Sequence, residues 1–330
     1  MTYLLLLIII LLSPVVEFEA HPGAVLPRGA EGEWDSTIVY APHVIQQGDT
    51  YYMFYSGSDS DTGRPAAIGL ATSTDGITWE KYANNPIIAP DSDGYDAMCV
   101  SVGVPLLLDD GTWVLYYAAN SQPCYGPGRY IARATATTPD GEWTRDSEPV
   151  LTAGDADTWD SGYIMPHSVI VTDEGYRMYY SGGQDYLVPL PRLIGVAISE
   201  DGITWDNLGE DQPINQVDAA GTSEVLQAWS ADVSRTDAGY EMFFSSTCPE
   251  LVSANCPSFL AYGVSEDGFN WEVYTDLEDR VLMPGCADGF ACHRLSYPSA
   301  IEIEDQTYLY FTRCTEEEND CEIALAIGQR

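Results

Sequence analysis

The stretch STDGITW at residues 73–79 returns as TPDGEW at 138–143, SEDGITW at 199–205 and SEDGFNW at 265–271. Trp79, Trp143, Trp205 and Trp271 thus recur at near-equal spacing, the signature of one supersecondary unit repeated along a chain. Ahead of each copy stands a pair of strand-like segments: YYMFYSG with IGLATS, WVLYYAAN with YIARAT, YRMYYSGG with IGVAIS, and YEMFFSST with LAYGVS. Their alternation and their β-branched and aromatic content predict strands, and the Asp-Gly dipeptides predict tight hairpins. A fifth pair, TYLYFTRC and IALAIG, ends the chain.

Each pair is preceded by an entry segment such as YAPHVI (40–45) and followed by an outer segment such as NPIIAP, EPVLTA, QPINQV or RVLMPG. The fifth unit has no outer segment of its own, but PGAVLP at 22–27 can supply one from the other end of the chain. The expectation is an all-β fold, a five-bladed β-propeller of four-stranded antiparallel blades spanning 21–330, with an N-terminal strand closing the last blade. Two separate sandwiches would leave that shared sheet unexplained.

The chain carries 13 Lys and Arg against 51 Asp and Glu, a formal net charge of -38, which disfavours nucleic acid and anionic membrane surfaces as partners. A solvated acidic surface accounts for most of this, with a structural Ca²⁺ near the central channel as the alternative use for some carboxylates. LLLLIIILL at 4–12, followed by Pro14 and FEA at 18–20, has the length of a signal-peptide core and is too short to span a bilayer. It predicts a secreted monomer beginning at His21, or an N-terminal anchor if residues 1–20 are retained. Eight cysteines with no C-x-x-C spacing suit disulfides in an oxidising compartment. The expected pairs are Cys99–Cys124, Cys248–Cys256, Cys286–Cys292 and Cys314–Cys321. Antiparallel geometry places the short turns (QQGD, LDDG, TDEG, RTDAG and the Asp-Gly turns) on one face. The longer, Cys- and Pro-rich connections fall on the other, where function is expected.

The repeat of Y-x-M-x-Y-S-G, I-G-x-A-x-S and S-x-D-G-x-x-W resembles the five-bladed propeller glycosidases, which include glycoside hydrolase families 43 and 130, levansucrase and invertase. The resemblance implies a carbohydrate partner and a site at the axial mouth. It also implies three acids beside the entry-strand prolines, but the matching positions hold Ala41, Leu106 and Ile164. Hydrolysis needs one carboxyl to donate a proton and another to stay ionised, so substitutes must come from elsewhere. Carboxylates recur upstream as Asp35, Asp96, Asp160 and Glu224, three of them behind an aromatic residue. They are either strand-start scaffolding or, in part, a catalytic pair; Glu224 departs from the pattern and is the candidate acid, with Asp35 or Asp160 as base.

WDSTIVYAPHVI (34–45) echoes as WDSGYIMPHSVI (159–170), so His43 and His167 each follow a proline, where other units offer Leu106, Asp232 and Ser299. They are candidates for acid–base work, or for binding a metal with Asp232, against the plainer reading of histidines packed between blades. Arg64, Arg129 and Arg192 precede the third strands of units one to three, placed either to pair with Asp or to fork onto an anionic sugar group. Tyr95, Tyr125, Tyr163, Tyr186, Trp229 and Phe290 are candidate stacking surfaces. Two functions remain: a secreted glycosidase with non-standard acids, or a catalytically silent propeller that binds glycan or a protein partner through its pinned loops.

Overall fold

The computed structural model describes residues 17–60, 66–91, 93–121, 128–184, 193–208, 213–218, 228–246, 258–274, 281, 294–315 and 320–329. Every regular element among them is a β-strand. Unit one comprises Ile38–Gln47, Thr50–Ser58, Ala67–Ser73 and the short Glu80–Lys81; unit two Cys99–Leu107, Trp113–Asn120, Tyr130–Ala136 and Thr144–Arg145. Unit three comprises Tyr163–Thr172, Gly175–Gly183, Leu193–Ser199 and Asp206–Asn207; unit four Ser230–Thr236, Gly239–Ser246, Phe259–Ser265 and Asn270–Tyr274. Unit five has Arg294–Ile303, Gln306–Cys314 and Cys321–Gln329. Within each unit successive strands pair antiparallel.

The recurring turn explains its own sequence. The Asp75 carboxylate accepts from the Ile77 and Thr78 amides at 2.8 and 2.7 Å, while the Ser73 hydroxyl accepts from the Gly76 amide at 2.9 Å. Gly76 sits at φ 72°, a left-handed conformation that favours glycine, and the Trp79 indole donates to its carbonyl at 3.2 Å. Asp201 and Asp267 repeat the arrangement in units three and four. The turn amides, foremost that of Thr78 for Asp75 and that of Thr204 for Asp201, hold both carboxyls down to about 2.

The same turns fasten neighbouring units. Tyr310 donates to the Gly76 carbonyl at 2.6 Å, Tyr116 to that of Gly202 at 2.7 Å and Tyr179 to that of Gly268 at 3.0 Å. Trp79, Trp205 and Trp271 meet these tyrosines edge-on, so the repeated Trp belongs to the seam between units. Where units one and four carry Phe54 and Phe243 instead, the ring packs against Trp143 and Phe18 respectively.

The chain ends meet. Val25 and Leu26 donate to the Ile323 carbonyl, which puts PGAVLP on the last strand as expected, and Phe18–Ala20 extends the pairing antiparallel to Gly328, Ile327 and Ala326. Phe18–Ala20 belongs to the segment expected to leave with the signal peptide, yet it is part of this sheet. A second departure concerns QPINQV. Ile214 donates to Ile194 in its own unit, but Asn215–Asp218 then runs parallel to Asn270–Tyr274 and so covers the outer edge of unit four. Cys314 and Cys321 form the expected disulfide across the last hairpin, and Cys99 is also disulfide-bonded. Cys124, Cys248, Cys256, Cys286 and Cys292 lie outside the described residues.

Candidate functional site

The recurring aspartates serve the units that carry them. Asp35, 1% exposed, accepts from the Tyr55 hydroxyl at 2.9 Å and the Lys81 ammonium at 2.7 Å. Asp160, equally buried, accepts from Tyr180 at 3.0 Å, Thr158 at 2.8 Å and Asn207 at 3.3 Å. Asp96 meets Tyr117 at 3.0 Å and the Arg145 guanidinium at 3.1 Å. In each of these three units a second-strand tyrosine and a fourth-strand side chain hold the carboxylate, tying the incoming chain to its own sheet.

The aromatic residue ahead of each aspartate completes the clasp. Trp34 and Trp159 lie against Tyr55 and Tyr180, above glycines that leave no space for a side chain. A Cβ at Gly57 would stand 2.6 Å from that of Asp35, and one at Gly182 would stand 2.8 Å from that of Asp160. Unit two has the smaller Tyr95 there, with Ala119 and Ala132 in register with the glycines, and the Tyr95 hydroxyl donates to the Asp146 carbonyl. Asp35 and Asp160 are therefore buried in separate units, each held by side chains of its own sheet.

The first strands of the units neighbour one another in chain order, and that of unit five also contacts that of unit one. Their midpoints are irregular. Ala41, Val102 and Tyr297 adopt φ of 51–52°, and the pairing register slips beside each. Neighbouring units hold these bulges: Thr312 accepts from the Ala41 amide at 2.9 Å and Ser56 from that of Val102 at 2.8 Å. At the corresponding seam between units two and three the hydroxyl is replaced by Ala118, and the residue that would donate is Pro166, which has no N–H.

The register also corrects an equivalence. His43 stands opposite Phe54, whereas Ser168 stands opposite Tyr179, Asp232 opposite Phe243, Ser299 opposite Tyr310 and Val104 opposite Tyr116. The counterparts of His43 are thus Val104, Ser168, Asp232 and Ser299, while His167 is the extra residue of a bulge and Leu106 lies further along. The prolines mislead because Pro105 and Pro166 do not sit at the place in the bulge that Pro42 and Pro298 share.

The two histidines nevertheless meet. His43 Nε2 donates to the His167 carbonyl at 2.7 Å, and His167 Nε2 lies 2.8 Å from the Ser181 hydroxyl. Burial lowers the His43 pKa to about 4, against the carbonyls of His167 and Ala41, leaving Nδ1 buried without a hydrogen bond. Burial, and then His43 itself, lowers His167 to about 3. Both rings are neutral at ordinary pH, so neither supplies a cation.

Asp232 has its own partners. It accepts from the Ala300 amide at 2.6 Å and contacts Ser168 at 3.3 Å, just as Ser299 accepts from the Val44 amide and Ser168 from that of Val233. Burial pushes its carboxyl up to about 7 in spite of those hydrogen bonds, with Glu241 adding repulsion. Among the described residues no group of three or more His, Cys, Asp or Glu side chains can hold a metal ion, so His43, His167 and Asp232 are not brought together as ligands.

Around the histidines gather aromatic rings from several units. Tyr297 stands 5.4 Å from Trp229, 5.9 Å from Tyr40 and 6.1 Å from the His167 ring, above an apolar cluster of Ala41, Val102, Ala118, Tyr163 and Met165. Tyr297 and Tyr40 were not among the sequence candidates, although Tyr297 precedes Pro298 much as Ala41 precedes Pro42. Of the remaining candidates, Arg129 is exposed, whereas Arg64, Arg192, Tyr125, Tyr186, Glu224 and Phe290 lie outside the described residues.

No family model matches the chain. An uncharacterised protein of Mycobacterium tuberculosis is 26% identical over 223 residues, 64% of this chain and 68% of its own length. A solved glycoside hydrolase superposes with a TM-score of 0.73 at 16% identity, over 96% of this chain and 92% of its own. A family 117 glycoside hydrolase from the marine bacterium Zobellia galactanivorans gives 0.64 at 19% identity, over 96% and 91%. An N-acetylgalactosamine deacetylase from F. plautii, solved with blood group B trisaccharide, gives 0.67 at 14%, over 94% and 95%. The chain has the fold of the propeller-type glycoside hydrolases.

Proposed function

We propose that this chain is a secreted, closed five-bladed propeller that binds a carbohydrate at its axial mouth and hydrolyses a glycosidic bond there. The observation that carries the reading is the convergence of Trp229, Tyr40 and the neutral His167 on Tyr297, rings from four units at one place. Aromatic faces bury the C–H faces of sugar rings, and neutral imidazoles exchange hydrogen bonds with hydroxyls. The glycoside hydrolases among the structures of like fold support the same reading. Closure is supported by the contact between the first strands of units one and five and by the N-terminal strand on the last sheet.

Glu224 is the proposed general acid, with His43 and His167 lining the site. Turnover of an aryl-glycoside and oligosaccharide panel tests this. Glu224→Gln is expected to lower turnover by about 10²-fold or more, the range for losing a general acid; undiminished turnover would exclude the assignment. One observation favours a second reading, binding without hydrolysis: Asp35, Asp160 and Asp232 are all engaged by scaffold partners. Glycan binding with no turnover of any substrate would establish that reading in place of the first.

A further inference from the structure

A pocket of about 470 Å³ opens between units three and four on the face of the short turns, where Arg177, Phe269, Tyr176, Leu208 and several carboxylates converge. Arg177 breaks the repeat. Opposite Ile170, it occupies the register position that holds Tyr52, Val114, Glu241 and Tyr308 in the other units. It is only 6% exposed, with its guanidinium 4.2 Å from the centre of the Phe269 ring and 5.1 Å from that of Tyr240. Nη1 donates to the Asp267 carbonyl at 2.7 Å, an approach that depends on Gly268, whose Cβ would collide with it. Nε has no acceptor, and among the described residues no carboxylate forms an ion pair with Arg177. A buried cation held by neutral groups alone is costly and is relieved by acceptor oxygens.

The rim has the opposite need. Glu174, Glu200 and Asp206 are exposed carboxylates seeking donors, and Leu208 and the half-buried Tyr176 offer apolar contact. A cationic ligand would face Arg177, and an anionic ligand would face the rim. A neutral polyol supplies acceptors, donors and C–H faces together. We propose that this pocket is a second carbohydrate site, binding a neutral sugar ring. The inference rests on the carbohydrate reading for its ligand class but not on catalysis or on the axial mouth.

Glucose, galactose, mannose, xylose and arabinose, with glucuronate and glucosamine as charged controls, can be titrated by saturation-transfer NMR. The proteins are the wild type, an Asp206→Ala/Leu208→Ala variant altered only at the exposed rim, and an axial Trp229→Ala variant. The rim variant is expected to bind a neutral sugar roughly tenfold more weakly, a loss of about 1.4 kcal/mol. The axial variant is expected to retain that binding. Unchanged binding by the rim variant, or tighter binding of either charged control, would overturn the proposal. Loss of all sugar binding in Trp229→Ala alone would overturn it while sparing the axial site, whereas no binding by the wild type would remove both.

Discussion

Asp232 is a half-buried acid whose ionisation should work against the fold. Its carboxyl is raised from 3.8 to about 7, chiefly by burial, although the Ala300 amide and the Ser168 hydroxyl favour its charged form. The unfolded chain ionises this group near pH 3.9 and the folded chain near 7, so between those values the folded state holds the extra proton. The contribution of this group to stability is therefore greatest below about pH 4, falls as pH rises and levels off above 7. Three decades of proton affinity at 1.36 kcal/mol each give about 4 kcal/mol. Asp232 is only partly buried, so water screens some of this and about 2 kcal/mol is the expected lower figure. Asp232→Asn retains an acceptor for the Ala300 amide and removes the charge. Urea unfolding of both proteins from pH 4 to 8 should show little difference at pH 4 and a variant more stable by about 2 to 4 kcal/mol at pH 8. A difference that does not change with pH, or a variant less stable at pH 8, would refute the reasoning.

Four further outcomes follow from the same geometry. His43 and His167 are held neutral by burial, so their contribution is complete above about pH 6.5 and declines as pH falls towards 4, opposite in slope to that of Asp232; the His43→Gln/His167→Gln variant should lose this slope in the same unfolding series. Lys81→Met leaves the buried Asp35 with Tyr55 as its remaining hydrogen-bond partner, and thermal unfolding should register a loss of about 2 to 4 kcal/mol. In unit three, Asn207→Ala removes a neutral donor from the Asp160 carboxylate and should cost about 1.5 to 3 kcal/mol. A chain beginning at His21 lacks the Phe18–Ala20 strand and the Phe18 contact with Phe243, so it should melt below one beginning at Glu17; equal melting temperatures would show that strand to be dispensable.

The repeated units were legible because their signatures are local. Asp75, Gly76 and Trp79 satisfy one another within a single turn, and Trp34 requires Gly57 beneath it, so the pattern carries its own geometry. The axial positions were less legible because a bulge shifts register without leaving a fixed residue type. Ala41, Val102 and Tyr297 share a backbone conformation and little chemistry, and alignment by proline displaced His167 by one position and chose Leu106 over Val104. The aspartates illustrate a different limit. Asp35 and Asp160 recur as catalytic residues can, and only their contacts with Tyr55 and Tyr180 show them to be internal clasps.

The paired replacement of Ala118 and Pro166 bears on how such a protein can change over time. A hydroxyl at one and an amide at the other would be compatible, as they are elsewhere, and so is the absence of both. Transplanting unit three behind a unit with a serine at that place would strand the hydroxyl, and placing unit one behind unit two would orphan the Ala41 amide. The units are thus keyed to their neighbours. Exchanging or duplicating a single unit would cost about 1 to 3 kcal/mol at each mismatched joint unless both sides of the joint change together, so the interchangeability of the repeats is decided at their joints rather than inside them.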